Sequence, residues 1–151
     1  MADPVPLDPP LEGRCLCGAV TVRLNRAKPG IEVCHCDMCR RWTGGTFFSL
    51  HGLQPEAFAL SGEDAVHRYD SSEWAERASC GRCGSNLWYS FKPAGTVSFM
   101  AGLFDLPADW KLDEQIFIDE MPPHTELAAD TPKKTGAEVI AEAKAAGFSF
   151  D

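Results

Sequence analysis

No stretch of this 151-residue chain holds an apolar run approaching a bilayer's thickness, which argues against a membrane-spanning helix. Basic residues are scarce: 14 Lys and Arg stand against 22 Asp and Glu, giving a formal net charge of -8 and a pI of about 4.9. A surface of that sign repels phosphate backbones and anionic lipid. Neither nucleic acid nor a membrane surface is expected as a partner. The opening MADPVPLDPPLEG has no basic start and no apolar core, so it is not expected to act as a signal peptide, and it is too acidic for a transit peptide. The expected location is cytoplasmic, where thiols stay reduced and disulfides are rare. No internal repeat is present apart from recurring groups of cysteines, and no cysteine lies outside those groups.

What remains describes an ordinary globular chain. Its length suits one domain with a real core, and 44% hydrophobic against 24% charged residues is a usual balance. Residues 1–12 carry Pro4, Pro6, Pro9 and Pro10, and read as a disordered or extended arm ahead of a single domain over 13–151. Short β-like runs follow: Ala19–Leu24, Thr46–Leu50, Ala65–Tyr69, Leu87–Phe91, Val97–Ala101 and Gln115–Ile118. Ala137–Ala146 is rich in Ala, Glu and Lys and predicts a helix, with Thr135 as its cap and Gly147 as its stop. The expected fold class is mainly β, with a small C-terminal helix.

The seven cysteines carry the chemistry. Cys15 and Cys17 form C-x-C, Cys34, Cys36 and Cys39 form C-x-C-x-x-C, and Cys80 and Cys83 form C-x-x-C. Zinc takes thiolates at about 2.3 Å in a tetrahedron, which places ligand sulfurs about 3.8 Å apart. Cysteines two or three positions apart reach that separation in a tight turn. Gly18, Gly81 and Gly84 stand beside the clusters, and Arg14, Arg40, Arg41 and Arg82 bring positive charge to them. Seven ligands divide naturally into four and three. Cys15, Cys17, Cys80 and Cys83 make a closed structural site; Cys34, Cys36 and Cys39 leave a fourth position open for water or substrate. A four-cysteine site using two of the middle cysteines, with His35 serving elsewhere, is the alternative partition.

The segments GRCLCG, VCHCDMCRRWTGG and CGRCG together resemble the glutathione-dependent formaldehyde-activating enzyme family, which includes centromere protein V-like proteins. All seven family cysteines are matched, with Gly18, Arg40 and Gly84, and the resemblance spans about Gly13 to Asp119. It implies a tent-like fold of short antiparallel sheets around two zinc ions. In that family the positions of Cys15, Cys17, Cys80 and Cys83 hold a structural zinc, and those of Cys34, Cys36 and Cys39 a second one. The implied activity is that of a carbon–sulfur lyase joining glutathione to formaldehyde.

A zinc already carrying three thiolates is a poor Lewis acid and suits an incoming thiol better than the making of hydroxide. The expected function is therefore addition of a small thiol, glutathione in the family reading, to a small aldehyde. No catalytic acid or base is assigned. His35 reads as a hydrogen-bond donor to sulfur rather than a ligand. His51, His67 and His124 each read as surface or satisfied histidines. Asp37 and Arg40 flank the open site, as a proton relay, as a holder of the thiol's carboxylate, or as solvated loop charges. Trp42, Phe47, Phe48, Trp88, Tyr89 and Phe91 read as core; Glu73, Glu76, Asp113, Glu114 and Glu120 read as a solvated acidic surface. The rival readings are a non-catalytic zinc-stabilised binding module, a nucleic-acid zinc ribbon disfavoured by charge, and a redox Cys80-x-x-Cys83.

Overall fold

The computed structural model describes residues 3–150. In chain order its elements are β1 (Val5–Arg14), β2 (Thr21–Ala27), β3 (Ile31–Cys34), α1 (Asp37–Thr43), β4 (Phe47–Leu53), β5 (Phe58–Ser61), β6 (Val66–Asp70), β7 (Ala75–Cys80), β8 (Asn86–Phe91), β9 (Thr96–Met100), β10 (Leu112–Ile116), β11 (Lys133–Lys134) and α2 (Gly136–Ala145). The class is mainly β, with a small C-terminal helix. The chain groups into two compact units, one holding the residues before Gly30 with Ser49–Trp110, the other Gly30–Phe48 with Lys111 onward. No helix among the described residues is long and apolar enough to cross a membrane.

The first unit contains an antiparallel sheet in the order β1-β2-β5. Strand β2 alternates as a half-buried strand should, with Val22, Leu24 and Ala27 buried and Arg23 and Asn25 exposed. Residues 5–12, read as an arm, instead form most of β1, paired with β2 from Val5↔Ala27 to Arg14↔Thr21. The prolines are accommodated because β1 is an edge strand whose register breaks between Pro6 and Leu11, where missing N–H donors do no harm. A second antiparallel set runs β4-β9-β8-β7-β6. Leu50, Leu53, Leu87, Trp88 and Phe99 are buried within it. The Phe99 ring meets Phe58, Trp88 and Phe104 edge-on, with centroids 4.9, 5.8 and 6.2 Å away. Gly13 bridges Phe104, and a Cβ there would lie 2.5 Å from that ring, so only glycine permits the approach.

The second unit departs from the antiparallel expectation: β10 lies between β11 and β3 and pairs with both in parallel. Long connections separate these strands in sequence, as parallel neighbours require. Gln115 stands opposite Val33 and Ile116 opposite Cys34. Strand β10 ends one residue before Phe117, which adopts φ 54°, so the strand expected over Gln115–Ile118 turns aside halfway. Helix α1 begins at a Cys36 N-cap and ends at Gly44 with φ 85°. Helix α2 begins at Thr135 with a reciprocal capping box to Glu138.

Candidate metal centres

Two turns of similar build present the first cluster. Cys15 follows β1, and its turn closes with the Gly18 amide donating to the Cys15 carbonyl at 3.1 Å. Cys80 ends β7, and its turn closes with the Gly84 amide donating to the Cys80 carbonyl at 2.8 Å. Gly18 and Gly84 sit at φ 79° and 78°, the left-handed region where a Cβ is penalised. The turns are joined by the Leu16 amide donating to Ser85 Oγ at 3.0 Å. All four sulfurs lie within 4.8 Å of one another, with Cys15–Cys17 at 3.7 Å and Cys17–Cys80 at 3.8 Å. Those two separations match the edge of a zinc–thiolate tetrahedron. Amides already point at the sulfurs: Val20 N–H donates to Cys15 Sγ at 3.3 Å. Cys83 lies beside the Ser85 hydroxyl, which together with the Ser85 and Cys17 amides draws its thiol down to about 5. For Cys17 the Ala19 amide pulls the other way, yet desolvation and the neighbouring thiols push it up to about 11.

The second cluster is assembled on a single loop. Cys34 ends β3, Cys36 caps α1, and Cys39 lies in its first turn, donating its amide to Cys36 Sγ at 3.3 Å. The three are buried, at 9%, 6% and 5% exposure, with sulfurs within 4.8 Å of one another. Hydrogen bonding to Cys36 and Cys39, burial and their charge drive the Cys34 thiol far above its usual range. Three buried thiolates are thus mutually exclusive unless a cation joins them, and the donor set fits a soft or borderline metal. The structure gathers the cysteines into these four and three. His35 is not gathered with either group, so the alternative partition does not describe this arrangement.

The loop is braced from β10 and beyond. His35 donates its backbone N–H to the Ile116 carbonyl at 3.1 Å. Its Nε2 lies 2.8 Å from Gln115 Oε1, and Gln115 Nε2 donates to Thr131 Oγ1 at 2.9 Å. His35 therefore bonds Gln115 rather than a sulfur, contrary to the sequence reading. Asp37 donates its backbone N–H to Glu120 at 3.3 Å, and its carboxylate lies 4.0 Å from Arg41 on the exposed face of α1. Glu76 bonds Arg68 at 2.8 Å and Glu114 bonds Lys134 at 2.6 Å, so these acids are partnered rather than merely solvated. His51 bonds Ser98 at 3.2 Å, and His67 is exposed on β6. Among the aromatics, Phe47 and Trp88 are buried, whereas Trp42, Phe48, Tyr89 and Phe91 are half-buried. Gln115, Thr131 and Glu120 were not foreseen as supports. A glutamine in the otherwise apolar run QIFI was the available signal.

A cleft of about 60 Å³ opens beside the three-cysteine loop, lined by His35, Arg40, Thr46, Pro122, His124 and Thr125 among others. A larger hollow of about 800 Å³ lies beside Cys15, Leu16 and Ser85 at the four-cysteine cluster. Volume and chemistry point to different places. The smaller cleft stands beside the cluster of three sulfurs, the larger beside the cluster of four.

A mainly β chain with separate four-thiol and three-thiol clusters defines a class of candidate two-metal proteins. The sequence profile of the glutathione-dependent formaldehyde-activating enzyme family matches residues 10–120, and the chain belongs to that family. It is similar to an uncharacterized lyase of Schizosaccharomyces pombe, 32% identical over 133 residues that cover 87% of this chain and 96% of the yeast protein. Its fold is similar to that of a Rhodobacter sphaeroides protein solved by crystallography, with a TM-score of 0.52 and 17% identity over 67% of this chain and 98% of that one.

Proposed function

We propose that this protein is a zinc-dependent carbon–sulfur lyase that joins a small thiol, glutathione by family, to a small aldehyde such as formaldehyde. The observation that carries the reading is the buried trio Cys34, Cys36 and Cys39, to which no fourth cysteine is added among the described residues. In this reading Cys15, Cys17, Cys80 and Cys83 hold a structural zinc and the trio holds a second, open one. Bound there, zinc would favour the ionised, nucleophilic form of an incoming thiol. The chain's own part is to hold three sulfurs on one loop, to fix that loop through His35, Gln115 and Thr131, and to offer a cleft at its side. Overall, the sulfur forms a bond to the carbonyl carbon, the C=O π bond opens, and the thiol proton ends on the oxygen. The reverse breaks the C–S bond. Such chemistry needs reduced thiols and suits a cytoplasmic location.

The test follows exchange between glutathione and its hydroxymethyl adduct by NMR in the presence of formaldehyde. The protein is expected to accelerate exchange, and Cys39→Ser to return it to the uncatalysed rate. Equal rates with and without protein would leave the rival reading, a zinc-stabilised binding module without turnover.

A further inference from the structure

The cleft beside the three-cysteine loop has a character opposite to the chain's. The molecule carries a net charge of -8, yet no Asp or Glu lines this cleft. Its wall includes one guanidinium, from Arg40, and two imidazoles, from His35 and His124. Arg40 is half-buried, and among the described residues its guanidinium makes no ion pair or hydrogen bond. Its neighbour Arg41 lies within 4.0 Å of Asp37, so acids are at hand on the same helix. An arginine's planar fork of donors matches a carboxylate or phosphate. A volume of about 60 Å³ holds a group of a few non-hydrogen atoms, such as one carboxylate of a larger molecule. Arg40 directly follows Cys39, and His35 lies between Cys34 and Cys36, so an anion held here shares one short loop with the three sulfurs.

We infer that this cleft is a carboxylate-binding site centred on Arg40, which selects thiols that carry a carboxylate. The selection of thiols rests on the function proposed above; the carboxylate site itself does not. A carboxylate could reach the cleft as the arm of a thiol or as a free small anion, and three probes separate these cases: 3-mercaptopropionate, 2-mercaptoethanol and propionate.

Titration calorimetry on the zinc-loaded protein is the measurement. 3-Mercaptopropionate is expected to bind at least about tenfold tighter than 2-mercaptoethanol, the range of one charge-assisted contact. Arg40→Gln should weaken 3-mercaptopropionate about tenfold and leave 2-mercaptoethanol unchanged. Propionate should compete with 3-mercaptopropionate on the wild type but not on Arg40→Gln. Arg40→Lys, which keeps the charge without the fork, should fall between, and it serves if Arg40→Gln fails to fold. Equal affinity of the two thiols for the wild type, with no effect of propionate, would overturn the carboxylate site while leaving the thiol reading intact. So would equal loss of both thiols in a folded Arg40→Gln. Failure of both thiols with Arg40-dependent binding of propionate would overturn the thiol reading and keep the site. Binding of none of the three overturns both.

Discussion

Gln115 is 1% exposed and has both ends of its amide engaged, one by His35 and one by Thr131. A buried polar group left without its partner costs about 1–3 kcal/mol. Gln115→Leu strands two such groups, so we expect a loss of about 2–4 kcal/mol by denaturant unfolding. The second readout is the metal content of folded protein, which should fall because the three-cysteine loop loses its brace. An unchanged midpoint and full metal content would show that the bond contributes nothing. None of this was legible in the sequence. Gln115 and His35 stand 80 positions apart, and only the parallel pairing of β10 with β3 brings them together. The cysteines were legible because their partners lie mostly two or three residues away, where spacing alone limits the geometry.

Helix α2 shows how far local signals reach. Thr135 accepts the Glu138 amide at 3.2 Å, and the Glu138 carboxylate accepts the Thr135 amide at 2.7 Å. Thr135→Ala should cost about 1 kcal/mol, read as faster hydrogen exchange through α2. The Thr135 amide and hydroxyl hold the Glu138 carboxyl below its ordinary range. A carboxyl lowered in the folded state contributes stability above its unfolded pKa, near 4.3, and that contribution is lost as pH falls through the folded value. Glu138→Gln should therefore destabilise at pH 7 and converge on the wild type in acid. A constant difference across that range would mean the charge plays no part. The cap, the stop and the alternating strands could all be read because each depends on neighbours within one turn or one pleat. Helix α1 could not, since its seven residues carry two arginines, an aspartate and a cysteine rather than an apolar stripe. Nor could β1, where prolines suggested an arm and the edge of a sheet admitted them.

Each compact unit carries one cysteine cluster, and the two clusters stand in different relations to the chain around them. The four-cysteine cluster joins positions 63 residues apart, Cys17 and Cys80, whereas the other lies within one loop. Structural zinc contributes on the order of 10 kcal/mol in small sites, comparable to a whole domain's stability. Cys80→Ser should therefore lose its cooperative thermal transition. Cys39→Ser should keep that transition and show one zinc, against two in the wild type, by native mass spectrometry. A Cys39→Ser protein that unfolds would make the second site structural as well. The two-unit division was hidden from the sequence because each unit is built from separated stretches of chain. The clusters also differ in how they face the solvent. Cys17 is exposed and Cys83 half-exposed, while Cys34, Cys36 and Cys39 are all buried. An electrophile arriving from outside thus meets the cluster proposed to hold the fold before it meets the one proposed to do chemistry. Under brief alkylation with mass mapping, Cys17 and Cys83 should be labelled ahead of the three buried loop cysteines. Oxidative damage to this protein would then reach the proposed structural site ahead of the proposed catalytic one.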